Sequence, residues 1–386
     1  MLIGTGNLRI DMKICFVAFS PGTTLRKRGH GFAKYLREYG FETTVLTFFR
    51  EAPPTTPQKS LGNRAMGWLT SHVRLYEKIV RYKPDIIYLL KPSPPAAFPA
   101  ISSQKLLGCR LVFDTDDWEL AYRPTSRNPI SHLESNLVRH FEKYLATHSD
   151  LVVTASTALR NHISELGSPN EKIHYCPTGV DTEVFNPRKF SKAPHKNKIL
   201  IYTGKRADVD YEYTAVIEML SALKLVLKDH KNVKLWMTGK ANPVFDKRIK
   251  EYIRRQKIEK HVFFTGFLPE EELVKTIAQA DVALLPFADH ILNRYKSPTN
   301  LFEYMAMELP AVAAKIGEVK LVIDEKKNGM LYAPGNQTEF AEKIITLLEK
   351  KELAKKIGIS ARKTVEKKYS MAILMKHLAQ RLSHLD

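Results

Sequence analysis

Short apolar runs and longer amphipathic stretches take turns along this chain. Lys13 to Phe19, KICFVAF, is almost continuously apolar, the pattern of a strand covered on both faces. After the polar segment SPGTTLRKRGHG, Phe32, Leu36 and Tyr39 recur at helical spacing, and Gly40 stands where a helix C-cap belongs. ETTVLTFF, rich in β-branched and aromatic residues, predicts a second strand. The alternation continues through a helix near Leu75 to Tyr82, strand DIIYLL, a helix after the proline-rich loop KPSPPAAFPA, and strand RLVFDT. A helix over roughly His132 to Thr147 and strand DLVVTAS follow. Strands alternating with helices of this size predict an α/β protein with a parallel, doubly wound sheet.

The pattern breaks once and then restarts. Asn186 to Asn197, NPRKFSKAPHKN, is polar, basic and proline-bearing, which reads as a linker. Beyond it come strand KILIYTG, a helix through Val216 to Leu227, strand KLWMTG, a helix through Lys247 to Gln256 and strand VFFTG. The stretch LPEEELVKTIAQA is a helix with Pro269 at its start and acidic residues behind it. DVALLPF, PAVAA and GMLYA are further strands, and helices around Glu339 to Glu349, Ala354 to Lys367 and Met371 to Leu382 close the chain. A chain of 386 residues exceeds what one core fills, so the expected domains are 1–187 and 188–370.

Composition narrows the function classes. Three cysteines, Cys15, Cys109 and Cys176, lie far apart without CxxC spacing, which points to a reducing compartment and no disulfide framework. No run approaches the ~20 apolar residues of a membrane span, and Arg9, Asp11 and Lys13 interrupt the first apolar stretch before a signal-peptide core forms. The expectation is a cytoplasmic protein. A formal net charge of +19 fits an anionic partner, or else a basic protein with no special partner. Its basic residues are dispersed among acidic ones, with no RNP-like strand, helix-turn-helix or Cys/His finger, so nucleic acid is set aside. Anionic small substrates remain, as does an anionic membrane surface, where each nearby Lys or Arg contributes about 1 kcal/mol. A peripheral place on the inner face of the membrane is the matching expectation.

Lys296 to Ala314, KSPTNLFEYMAMELPAVAA, carries the strongest local signal. A polar turn leads into a helix on which Glu303 sits among Leu301, Phe302, Tyr304 and Met305, a costly place for a carboxylate without partners. Ser297, Pro298, Thr299, Asn300 and Leu301 open this helix, and the free backbone N–H groups of that start form an expected anion site. A diphosphate there, with Glu303 accepting two neighbouring ribose hydroxyls, makes a coherent nucleotide site. The plain alternative is that Glu303 stabilises its own helix start or lies on an exposed stripe.

The segment Pro21 to Gly31 follows the first strand, where doubly wound sheets bind ligands, and Gly22, Gly29 and Gly31 permit close backbone approach. Gly22, Thr23, Gly29 and His30 are therefore candidates for a phosphate or acceptor loop. The spacing is not GxGxxG, which removes the main support for a nicotinamide or flavin cofactor. FDTDDWE ends another strand and puts the carboxylates of Asp116 and Asp117 at a second such position. A metal reading of such acidic triplets is set aside, and the thirteen histidines show no HExxH spacing. Neither metal nor cofactor is expected.

Taken together, these segments resemble the retaining GT-B glycosyltransferases of family four (glycosyl transferases group 1). Glu303, Pro310 and Val312 resemble the second half of that family's E-x7-E motif and its following Pro-Val strand. TGVDTEVFNP resembles its P-N-G-V-D-x-x-x-F segment with Thr178 in place of Asn, and VFFTGFLPEEELVKTIAQADVALLPF resembles its V-x-F-x-G stretch, helix and A-D-V strand. Departures are equally clear. Tyr295 stands where the first Glu belongs, Asp116 and Asp117 replace a His-Asp pair, and Gly204, Lys205 and Arg206 lack the Lys that follows in the family's G-R…K pair. Asn293, Lys296, Ser297, Pro298, Glu303 and Tyr304 fit a variant subgroup reading N-x-x-K-S-P…L-x-E-Y-x-A.

The resemblance implies a GT-B fold, two Rossmann-like domains facing across a cleft, with the C-terminal helix at about 371–386 packing back on the first. It implies hexosyl transfer from a nucleotide-diphosphate sugar to a glycan or lipid-linked saccharide, with retention of anomeric configuration. Gly204, Lys205, Arg206 and Lys296 through Leu301, with Glu303, would bind the donor, and Asp116, Lys296 and Arg206 would serve catalysis. Two rivals share the architecture: a degenerate protein that binds nucleotide sugar without transfer, favoured by Tyr295 and the missing His, and a sugar-nucleotide epimerase.

Overall fold

A computed structural model describes residues 12–20, 22, 25–49, 61–122, 129–194, 196–204 and 209–385. Among these residues the apolar runs form two parallel sheets. The first comprises β1 (Lys13–Ala18), β2 (Glu42–Thr47), β3 (Ile86–Leu90), β4 (Arg110–Thr115), β5 (Leu151–Thr154) and β6 (Ile173–Tyr175), in the order β2-β1-β3-β4-β5-β6. The second comprises β7 (Lys198–Thr203), β8 (Val233–Thr238), β9 (Val262–Gly266), β10 (Val282–Leu285), β11 (Ala311–Ala314) and β12 (Met330–Tyr332), in the order β12-β11-β10-β7-β8-β9. The pairings are parallel throughout, and the α/β doubly wound expectation is met.

The second sheet shows why these sequences make covered strands. Leu200, Leu235, Leu284 and Val312 pack into one core, while Ile199, Ile201, Ala283, Leu285, Ala311 and Ala313 pack into another. Alternate side chains point to opposite faces, so two helical layers are needed to cover both. In the first sheet every residue of β3 is buried.

Contacts divide the chain between Thr178 and Gly179 and join Leu374–Asp386 to the first unit. The second unit's N-terminal segment is tied down locally: Val180 N–H donates to Tyr369 O at 3.0 Å, and Met371 N–H donates to Val180 O at 2.9 Å. Arg362, buried, donates to the carbonyls of Phe185 and Ala306. Even the basic stretch 186–197 is anchored there, with Lys192 on Asp281 at 2.8 Å and Ala193 N–H on Gln279 Oε1 at 2.8 Å. The proline-rich loop expected after β3 is instead part of a helix, Pro94–Leu107, with Ser93 at its N-cap. Pro94 and Pro95 occupy first-turn positions, whose N–H groups have no partner within a helix in any case.

Candidate donor-binding site

In the second sheet the chain leaves β7 toward β8 and leaves β10 toward β11, so adjacent strands send their connections in opposite directions. The carboxyl ends of such a pair part into a crevice, the usual ligand position of an open α/β sheet. β10 pairs with β7 only at Leu200 and Ile201, which leaves the end of β7 without a strand neighbour on that side.

The Thr299–Ala306 helix takes the strand's place. Tyr304 Oη accepts the Thr203 N–H at 2.7 Å and shares a 2.7 Å hydrogen bond with Thr203 Oγ1. Asn300 Nδ2 donates to the Thr203 carbonyl. Residues four apart share a helix face, so one helical turn satisfies both backbone groups of the last β7 residue. Burial raises the Tyr304 phenol well above its ordinary value, keeping its proton available. Glu303, buried, stands between these two anchors on the same turn.

The next residue, Gly204, is half-buried and makes a tight crossing. A Cβ on Gly239, whose φ is +108°, would lie 2.1 Å from the Gly204 carbonyl oxygen, so position 239 requires glycine on both counts. Lys205 and Arg206 lie outside the described residues, as does Thr23 of the first unit.

The anion site expected from backbone groups is narrower than its sequence suggested. Pro298 has no N–H, Thr299 N–H donates to Ser297 O at 2.9 Å, and Leu301 N–H donates to Pro298 O at 3.0 Å. The positive charge rests more on Lys296, half-buried after the short Ile291–Tyr295 helix. Its ammonium lies 5.5 Å from the centre of the Tyr211 ring, and it has no carboxylate partner among the described residues. Asn293 is buried and donates to Ala288 O at 2.9 Å, fixing the turn before Lys296. Tyr295, at the position of the missing Glu, is half-buried.

The first unit's switch point lies between β1 and β3. Part of the segment expected as a glycine loop is helical: Leu25–His30 forms a π-helical stretch running into the Gly31–Glu38 helix. Gly29 is buried, and a Cβ there would meet Leu25 Cδ1 at 2.7 Å, so its lack of a side chain admits the core and not a ligand. Gly22 and His30 are exposed. Arg28 points inward, its guanidinium on Asp114 at 2.7 and 2.8 Å and on the Cys176 carbonyl at 2.9 Å, while Tyr88 donates to Asp114 at 2.6 Å.

Asp116 lies beside Lys91, 3.3 Å from the ammonium, which Asp117 and Glu119 also approach at 3.7 and 2.6 Å. Burial opposes charge on Lys91, but Asp116, Glu119 and Asp117 outweigh it and hold the ammonium protonated well above the usual lysine range. Lys91 follows β3 directly, so the strand-end rule that singled out Pro21 to Gly31 applied to it as well. Among the described residues no cluster of three or more His, Cys, Asp or Glu could hold a metal ion.

Two Rossmann-type units, the second with a cation and a buried carboxylate at its switch point, define a two-domain nucleotide-binding α/β class. Residues 30–184 match the family model described as Glycosyltransferase Family 4, and residues 185–364 match that described as Glycosyl transferases group 1. The chain carries both domains and belongs with the GT-B glycosyltransferases, which are nucleotide-sugar-dependent transferases. Sulfoquinovosyl transferase SQD2 of Arabidopsis thaliana is 26% identical over 368 residues, covering 89% of this chain and 67% of that protein. A glycosyltransferase from Rickettsia africae has a similar fold, with TM-score 0.74 at 18% identity over 97% of this chain and 99% of that one. Anabaena Alr3699/HepE, solved in complex with UDP and glucose, gives TM-score 0.69 at 18% identity over 97% of this chain and 100% of that one. No helix among the described residues is long and apolar enough to cross a membrane.

Proposed function

We propose that this chain moves a hexosyl group from a nucleoside-diphosphate sugar to a saccharide or lipid-linked saccharide, with retention of anomeric configuration and without a metal ion. The observation that supports this reading is the hydrogen-bonded attachment to the end of β7 of the Thr299–Ala306 helix, whose turn from Asn300 to Tyr304 bears Glu303. Uridine is the favoured base, because Alr3699/HepE was solved with UDP. Glu303 accepts the two ribose hydroxyls, and Lys296, with Lys205 and Arg206, neutralises the diphosphate.

As the bond between the anomeric carbon and the β-phosphate oxygen breaks, its electron pair passes to the phosphate. The acceptor hydroxyl oxygen bonds to the anomeric carbon, and its proton goes to the departing phosphate, so no separate base is required. Asp116, already beside Lys91, is assigned to an acceptor hydroxyl. The net charge of +19 supports work at the cytoplasmic face of an anionic membrane.

Calorimetric titration of the full chain with UDP, GDP and ADP tests the assignment. UDP binds most tightly, and Glu303→Ala weakens it about tenfold or more, the worth of hydrogen bonds to a charged group. Lys296→Met gives a similar loss. An unchanged UDP affinity in Glu303→Ala removes the basis of the proposal. Conversion of the donor to its epimer without acceptor would select the epimerase instead.

A further inference from the structure

Lys296 is reached from across the crevice by a residue on the β7 side. Tyr211 lies in the first turn of the Asp210–Asp229 helix that follows β7, whereas His290 and Lys296 bracket the Ile291–Tyr295 helix that follows β10. The Tyr211 ring stacks on the His290 imidazole, centroids 4.3 Å apart and planes 5° apart, and the Lys296 ammonium lies 5.5 Å from the same ring centre. His290 is itself fixed, its Nδ1 accepting the Leu292 N–H at 3.3 Å.

We infer that Tyr211 is a positioning residue for the donor diphosphate: its ring, held flat by His290, restrains the Lys296 ammonium where the phosphates bind. This deepens the donor-site reading and rests on it. The physical case is that a lysine stem has many rotamers, and freezing them on ligand binding costs affinity. An aromatic face attracts the ammonium through its quadrupole and confines it beforehand, without neutralising it. A carboxylate in the same place would confine the ammonium but cancel the charge that the phosphates need. Tyr211 does the first without the second.

The test compares UDP with uridine, which lacks the phosphates, by calorimetry on the full chain and its variants. Tyr211→Leu weakens UDP binding roughly three- to tenfold, the range of an exposed to partly desolvated cation–π contact, and leaves uridine binding unchanged. Tyr211→Phe, which keeps the ring, binds UDP within about twofold of the parent. In a Lys296→Met background, Tyr211→Leu has no further effect, as expected of residues acting through one another. Thermal melts of each variant establish that the fold is kept.

Equal losses for UDP and uridine would mean that Tyr211 touches the nucleoside, and would overturn the inference. So would a Tyr211→Phe variant as weak as Tyr211→Leu, or losses that simply add in the double variant. Parent-like UDP binding by Lys296→Met would instead remove the donor-site reading itself. Weak binding by Lys296→Met with parent-like binding by Tyr211→Leu would remove the positioning role alone.

Discussion

A lysine follows the switch-point strand in each unit, and the two stand in opposite electrostatic settings. Lys91, after β3, has three carboxylates within 3.7 Å, so its charge is more than matched. Lys296, after β10, faces an aromatic ring and has no carboxylate partner among the described residues. The same contrast runs deeper. The first unit closes its switch point with a buried ion pair, Arg28 on Asp114; the second closes its own with neutral hydrogen bonds, Asn300 donating to Thr203 and Tyr304 accepting from it. Charges that satisfy one another make a scaffold, whereas a confined but unmatched charge can take an anion. The comparison supports the proposed division, in which the second unit binds phosphate and the first is left to neutral groups such as sugar hydroxyls.

The largest effect should come from breaking the first unit's pair. Arg28 and Asp114 side chains are each 1% exposed, so Asp114→Ala strands a guanidinium in the core and should cost about 3–5 kcal/mol. Combining it with Arg28→Met should recover part of that loss, because the stranded charge is gone. Urea midpoints measure both. UDP affinity, read where the variant is still folded, should match the parent; a parallel loss of UDP affinity would erase the division of labour between the units.

Next in size is an opposite response to pH. Burial, helped by Arg381 and His377, lowers His174 in the first unit from 6.5 to about 4. Its folded form resists protonation, so this contribution is complete above pH 6.5 and is lost as pH falls toward 4. Burial raises Glu218 in the second unit from 4.5 to about 7, against the Gly335 N–H that its carboxylate accepts. That contribution is complete below pH 4.5 and is lost as pH rises through 7. Each is worth on the order of 3 kcal/mol at most. His174→Gln should flatten the acid side of the stability profile, and Glu218→Gln, which keeps an acceptor for Gly335, should raise stability above pH 7. Identical profiles for parent and both variants would contradict this.

Most of the fold was legible because most strands are apolar runs and most helices amphipathic, local signals that need no partner; the three-residue β6 and the Thr157–Glu165 helix were not read. Glu303 and Lys296 stood out as candidates for a related reason: a carboxylate on an apolar turn and a cation beside a helix start are visible in a dozen residues. Arg28 was not. Its partner Asp114 is 86 residues away, and four basic residues from Arg26 to His30 read alike until one turns inward. Gly29 misled for the same reason, since only packing reveals that Leu25 and Leu90 fill the space a side chain would take. Tyr211 and His290 come from segments about eighty residues apart, and no periodicity links them. Local chemistry shows in the sequence; pairing across the sheet does not.

The smallest effect is the most pointed. Tyr304→Phe removes one oxygen and leaves the Thr203 N–H without its acceptor, a cost of about 1–2 kcal/mol. If the Thr299–Ala306 helix matters only as packing, a core change of equal cost elsewhere in the same unit should behave identically. Ile344→Val, fully buried on the Gln337–Glu349 helix, is such a change, at about 1 kcal/mol. The expected outcome is that both variants lose similar stability while only Tyr304→Phe loses UDP affinity, because only it removes one of the two ties between the end of β7 and the turn bearing Glu303. Equal UDP affinity in the two would reduce the Tyr304–Thr203 bond to ordinary cohesion and detach the donor site from the geometry that defines it.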